Sequence, residues 1–321
     1  MTGMPATVYV TRALPEPGIG PLRAAGLRVV HRDVDTPPTR AELLAGVGGA
    51  DAVLCLLSER IDVEVLDAAP GLRVVANLAV GFDNIDVEAA RTRGVVVTTT
   101  PGVLTEATAD LAWALLMATA RRVAEADALV RRGEWRGFSP TLLLGAPVAG
   151  ATLGVVGLGA IGAAVARRAR GFGMTVLATS RTRRPELEAQ VGAAWVTLDE
   201  LLVRSDFVTL HAPLTERTRH LIDADALARM KPSAILINTA RGALVDEAAL
   251  VDALGDGVIA GAGLDVFERE PALAEGLAAR PETVLLPHLG SATTPTRAAM
   301  VELACANVIA VIEGRPPPTP L

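Results

Sequence analysis

The sequence predicts an α/β fold of two doubly wound parallel-sheet domains, and three observations predict it. Short apolar strands alternate with helical segments over residues 1–100, the rhythm of a parallel sheet with helices on both faces. Halfway along the chain the apolar run Leu153–Val156 meets Gly157-Leu158-Gly159-Ala160-Ile161-Gly162 and then the helical run Ala163–Arg170, the strand, glycine turn and helix of a nucleotide-binding sheet. The length of 321 residues is enough for two domains with separate cores.

In chain order, Val8–Thr11, Leu27–His31, Ala52–Leu56, Val74–Ala76 and Val95–Thr98 read as strands. Helices are expected near Pro21–Ala25, Arg40–Gly46, Asp62–Ala69 and Asp86–Arg93. Thr105–Arg121 makes a long helix whose start suits Thr105 and Glu106, and Ala124–Arg132 makes a second. The loop Gly133–Gly150 leads into strands at Thr152–Val156, Thr175–Ala178, Phe207–His211, Ala234–Asn238, Val258–Gly261 and Thr283–Leu286. A last helix, about Thr294–Glu313, is expected to cross back onto the first domain, and the proline-rich tail Arg315–Leu321 to be extended. The expected division is therefore 1–100 with 290–321 against 101–289, with a hinge and a ligand cleft between the two.

Composition excludes several classes. Half of the residues are hydrophobic but only 3% are aromatic, so the cores are built of Ala, Val and Leu. A net charge of −6 gives no electrostatic reason to bind nucleic acid. Cys55 and Cys305 lie far apart in apolar surroundings and read as buried free thiols of a cytoplasmic protein with no signal peptide. Leu142–Ala166 carries no charge over the length of a membrane span, yet its glycines, Pro147 and the dinucleotide turn read as loop and strand, so no membrane partner is expected. Lys231 is the only lysine, which removes any Gly-Lys-Ser/Thr phosphate loop.

In an open parallel sheet, ligands sit beyond the carboxyl ends of the strands. Three strand ends in the second half bring polar residues there: Thr239-Ala240-Arg241-Gly242, Asp265 to Pro271, and Pro287-His288-Leu289-Gly290. Histidine suits proton transfer to a carbonyl oxygen, a carboxylate beside it favours the imidazolium, and arginine pairs bidentately with a substrate carboxylate. Arg241, Glu270 and His288 are the catalytic candidates on these grounds. Alternatives remain: Arg241 as a surface arginine, Glu268 as a rival to Glu270, and His211 as a second histidine following a strand, with His31 and His220 as surface or core residues.

These motifs, with Asn77-Leu78-Ala79-Val80-Gly81-Phe82-Asp83-Asn84, resemble the D-2-hydroxyacid dehydrogenase family over essentially the whole chain. The resemblance implies a flavodoxin-like substrate domain, a Rossmann nucleotide domain and a homodimer formed around residues 100–150. It implies that Arg241 binds the substrate carboxylate, His288 is the acid/base, Glu270 hydrogen-bonds His288 and Asp265 holds the nicotinamide amide. It places Leu57 and the Val80 and Gly81 amides beside the substrate, and Thr108 where it reaches the cofactor across the cleft. Gly157, Leu158, Gly159, Ala160, Ile161, Gly162, His211, Pro213, Thr239, Ala240, Arg241, His288 and Gly290 would complete the cofactor site.

The end of the second strand of the nucleotide domain reads Thr179-Ser180-Arg181-Thr182-Arg183-Arg184, without the aspartate that accepts NAD ribose hydroxyls. Ser180, Arg181 and Thr182 suit a 2′-phosphate, so NADPH is expected over NADH. Within the family, this run and Leu57-Ser58-Glu59-Arg60-Ile61-Asp62 look most like glyoxylate/hydroxypyruvate reductases, with Leu56, Leu57 and Val80 leaving room only for a small 2-keto acid. Pyruvate, larger 2-keto acids and 3-phosphoglycerate are the alternative substrates. Phosphite dehydrogenases differ by a lysine at the position of Val80, and a dinucleotide-sensing co-repressor is the remaining alternative.

Overall fold

The computed structural model describes residues 4–321, which form two compact units. The first runs to Leu104 and resumes over Ser291–Leu321; the second is Thr105–Gly290. The first division thus falls at Leu104, where the loop before a long helix ends, and not at residue 100.

The first unit is a parallel sheet of β1 (Thr7–Val10), β2 (Arg28–His31), β3 (Ala52–Cys55), β4 (Val74–Asn77) and β5 (Val96–Thr98) in the order β2-β1-β3-β4-β5. Tyr9, Val53, Val75 and Val97 lie side by side in register and form one face of the core. Helices α1 (Gly20–Ala24), α2 (Arg40–Val47), α3 (Val63–Asp67) and α4 (Val87–Thr92) connect the strands. Thr39, Asp62 and Asp86 start α2, α3 and α4 by accepting backbone amides, and Glu42 completes a capping box with Thr39. The C-terminal helix Thr294–Ile312 packs on β3 and β4. By length and composition that helix could cross a membrane, but it buries Met300, Val301, Ala304, Val308 and Val311 in this unit. The tail then runs along β5. Pro320 pairs antiparallel with Thr98, the Leu321 amide donates to the Val97 carbonyl, and buried Asn307 holds Thr319 through both ends of its amide.

The second unit begins with α5 (Thr105–Ala120) and α6 (Val123–Arg131). It continues through β6 (Thr152–Val156), α7 (Ala160–Ala169), β7 (Thr175–Thr179), α8 (Pro185–Val191), β8 (Ala193–Trp195), α9 (Leu198–Arg204), β9 (Phe207–Leu210), α10 (Ala224–Arg229), β10 (Ile235–Asn238), α11 (Glu247–Gly255), β11 (Gly261–Leu264) and β12 (Thr283–Leu285). All strands are parallel in the order β12-β11-β10-β9-β6-β7-β8, which reverses direction between β6 and β9. Side chains alternate between two cores: Leu153, Val155, Phe207, Ile235 and Ile237 on one face, Val156, Val208, Leu210 and Leu236 on the other.

One expectation fails here: Val258–Gly261 is not a strand. The Val258 amide turns back to the Ala253 carbonyl to close α11, so β11 starts at Gly261 and Asp265 follows it directly. The edge strand β8 has only three residues, too few for alternation to mark it in the sequence.

Asn307→Leu should lower the thermal midpoint, because it leaves the Thr319 amide unpaired; a lost buried hydrogen bond costs about 1–3 kcal/mol. Differential scanning calorimetry checks this, and an unchanged midpoint would show that the tail contributes nothing to the first unit.

Candidate active site

The glycine turn lies at the carboxyl end of β6, beside the point where the strand order reverses. Gly157 has φ +98, and a Cβ there would stand 2.6 Å from the His211 carbonyl carbon; one at Gly162 would stand 2.1 Å from the Gly157 carbonyl oxygen. Both glycines are required by close approach of backbone. Gly159 is different: it caps α7 with no side chain, no acid sits in the first turn, and a Cβ there would meet nothing within 4 Å. An open helix start of this kind fits a pyrophosphate. Leu158, Ala160 and Ile161 complete the turn.

His211 follows β9. Its backbone amide donates to the Val156 carbonyl at 2.7 Å and its Nε2 meets Thr209 Oγ1 at 2.9 Å. Burial pushes its imidazole down to about 4, so the ring is neutral at neutral pH and braces the turn without adding charge. Pro213 lies just beyond, its carbonyl accepting from Thr218 Oγ1. At the end of β7, Ser180 Oγ donates to the Thr182 carbonyl at 2.9 Å, while Arg181 and Thr182 are exposed. Arg183 is already engaged, paired with Glu188 at 2.7 Å and lying over the Trp195 ring. Glu188, an acid of the helix that follows this loop, is thus committed to an arginine.

Three more strand ends bring polar groups to the same edge. After β10, Asn238 closes the turn by donating to the Arg241 carbonyl and accepting the Ala240 amide. Thr239 Oγ1 is buried with no hydrogen-bond partner among the described residues, a polar atom suited to a bound dinucleotide. Gly242 then presses on the neighbouring loop, where a Cβ would stand 1.9 Å from the Phe267 carbonyl carbon. After β11, Asp265 is fully buried, with its oxygens accepting the Leu289 and Gly290 amides at 2.6 and 2.8 Å. Burial raises its pKa against the pull of those amides and of His288. Asp265 therefore holds the turn that follows β12, whatever else it meets. In that turn His288 adopts a left-handed backbone with φ +56, and its amide donates to the Asp265 carbonyl.

His288 Nδ1 lies 2.9 Å from Glu270 Oε2, and Glu270 Oε1 accepts the Phe267 amide at 3.0 Å. Burial would raise the Glu270 pKa; the hydrogen bond and charge of His288 outweigh it and hold the carboxyl below its ordinary value. Glu268, the rival carboxylate, pairs instead with His220 Nε2 at 2.7 Å. The geometry thus separates two residues that composition could not. Thr108 sits in α5, within the same unit as the glycine turn, and lies close to Gly290.

Leu57, Val80 and Gly81 belong to the first unit. Among the described residues, the Val80 and Gly81 amides donate to no other group of the chain. Buried Asn77 shapes this loop by donating to the Gly81 carbonyl at 2.8 Å, and Asn84 ties it to the Leu56 and Glu59 carbonyls. Glu59 is buried in turn, accepting the Leu56 amide and the Thr11 hydroxyl. Sequence reasoning gave no role to Glu59, His220 or Glu247, which meet the Thr11 hydroxyl, the Glu268 side chain and the Glu268 amide across 21 to 48 positions of sequence.

Residues 113–290 match the model of the D-isomer specific 2-hydroxyacid dehydrogenase NAD-binding domain. A glyoxylate reductase of Thermococcus onnurineus is 53% identical over 98% of this chain and 96% of its own. The crystal structure of the TT0316 protein from Thermus thermophilus superposes with a TM-score of 0.92 at 50% identity, covering 98% of this chain and 99% of that one. An NADPH-dependent glyoxylate/hydroxypyruvate reductase from Sinorhizobium meliloti, in complex with NADP and malonate, gives 0.87 at 36% identity, covering 98% and 96%. The chain therefore belongs to the D-isomer specific 2-hydroxyacid dehydrogenase family and is an NAD(P)-dependent oxidoreductase.

Proposed function

We propose that the chain reduces small 2-keto acids, glyoxylate to glycolate and hydroxypyruvate to D-glycerate, with NADPH as the preferred cofactor. The observation that carries the reading is the His288–Glu270 pair, with Glu270 bonded to Nδ1 and Nε2 left for a substrate oxygen. The glyoxylate reductases among the relatives support the substrate class.

Gly157, Gly159 and Gly162 would hold the pyrophosphate, with Thr108, His211, Pro213, Thr239, Ala240, Asp265 and Gly290 around the rest of the dinucleotide. The bound nicotinamide supplies the hydride. Arg241 offers its planar guanidinium to the substrate carboxylate. His288 donates the Nε2 proton to the keto oxygen as the carbonyl carbon is reduced, and Glu270 stabilises the imidazolium until that transfer. For the cofactor, Ser180, Arg181 and Thr182 form a turn with no acid to repel a 2′-phosphate. The same chemistry suits a cytoplasmic enzyme with two buried thiols, Cys55 and Cys305.

Self-association is part of the reading. Helix α6 buries no residue, and Val123, Val130, Trp135, Phe138 and Leu144 are all more than half exposed around it. An apolar surface of this kind is covered in a homodimer.

The first assay follows nicotinamide absorbance with NADPH and NADH against glyoxylate and hydroxypyruvate. Fast NADPH oxidation is expected; consumption of neither cofactor with either acid would overturn the reading. His288→Ala should lower kcat at least about a hundredfold while NADPH binding holds. The double substitution Ser180→Asp and Arg181→Ala should swing preference toward NADH, measured as the ratio of kcat/KM values; no swing would overturn the assignment of the ribose end. Phe138→Glu should shift sedimentation velocity toward monomer, and an unaltered sedimentation coefficient would remove this face from the interface.

A further inference from the structure

Glu247 is a buried carboxylate that the proposed reaction does not use. It is the first residue of α11, immediately after Asp246, which caps that helix. Only 4% of it is exposed, and its Oε1 accepts the Glu268 amide at 2.6 Å. The Ala274 amide lies near the same carboxylate and favours its charged form. The two amides flank the stretch that carries Glu270, so one side chain meets the loop on both sides of the residue that pairs with His288.

Glu247 is itself rooted beside Arg241. From Arg241 the chain makes a short 3-10 turn, Gly242–Leu244, and Val245 then pairs with Ile222 in an isolated parallel bridge. The Asp246 amide donates to the Ile222 carbonyl, and the His220 amide to the Ala243 carbonyl, so the base of Glu247 is fixed on both sides. Two further contacts meet the loop at the same place. Gly242 packs against the Phe267 and Glu268 backbone, and His220 pairs with the Glu268 side chain.

We infer that Glu247 is a positioning residue: a strut from the Arg241 turn to the 265–274 loop that sets Glu270 at hydrogen-bonding distance from His288. The inference rests on the roles proposed above for His288 and Glu270. Without the strut, the Glu268 amide loses its buried acceptor, the loop relaxes, and the proton donor is left badly oriented while the glycine turn is untouched. A residue that acts only through Glu270 has no effect once Glu270 is disabled.

The test is a double-mutant cycle on the full-length chain. Glu247→Met keeps the volume and removes the acceptor; it should lower kcat about tenfold and leave the Kd for NADPH, read by tryptophan fluorescence, within about twofold. Glu247→Gln retains an acceptor oxygen and should recover most of that loss. In a Glu270→Gln background, Glu247→Met should cost nothing more. Glu247→Asp, which withdraws the carboxylate by one methylene, takes the place of the Met variant if that variant does not fold. Equal losses in both backgrounds, or unchanged kcat in Glu247→Met alone, would overturn the inference. Full turnover in Glu270→Gln would instead overturn the reading of the His288 pair, and the inference with it.

Discussion

A parallel sheet delivers the carboxyl ends of all its strands to one edge, and the chemistry of this protein depends on that constraint. β6 ends in the glycine turn, β7 in Ser180–Arg184, β9 in His211, β10 in Arg241, β11 in Asp265 and β12 in His288. These residues are scattered over more than a hundred positions of sequence, and the register of hydrogen-bonded strands brings them together. Each strand needs only to stop at the right length for its following residue to reach the edge. The shift of β11 to Gly261–Leu264 is how Asp265, and not an earlier residue, comes to follow the strand.

At that edge, ionisable groups divide by burial. Asp265, Glu247 and His211 are withdrawn from water, and each is held by hydrogen bonds that its own fold supplies: backbone amides for the two carboxylates, a threonine hydroxyl for the imidazole. A buried carboxylate without such donors would be costly, and with them it becomes a fixed anchor for backbone. His288 and Glu270 stay partly exposed and paired with one another through one imidazole nitrogen. The left-handed backbone at His288 is tolerated because the Asp265 carboxylate and carbonyl take three successive amides from the turn, those of His288, Leu289 and Gly290.

The first unit uses the same device with two asparagines and a carboxylate. Asn77 and Asn84 cross-link two strand-end loops through backbone carbonyls, and Glu59 anchors one of them from below. The outcome is a loop whose Val80 and Gly81 amides donate to no group among the described residues, while the Gly81, Leu56 and Glu59 carbonyls each accept from an asparagine amide. A polar network of this kind makes a loop rigid without filling it with apolar side chains.

The sequence by itself determined the fold class, the order of most strands and helices, the glycine turn and the strand-end candidates Arg241, Glu270 and His288. These are legible because apolar periodicity, glycine spacing and polar residues after strands are local features. Helix starts at Thr39, Asp62 and Asp86 are local in the same way. The tertiary structure alone decided between Glu268 and Glu270, since both sit in one acidic loop and only their distant partners, His220 and His288, tell them apart. It alone showed that Asp265 holds the His288 turn and that Glu59 and Glu247 are buried anchors. Each of these depends on contacts across tens or hundreds of residues, which no local pattern encodes, because the energy of a buried polar group is set by the partners that packing brings to it.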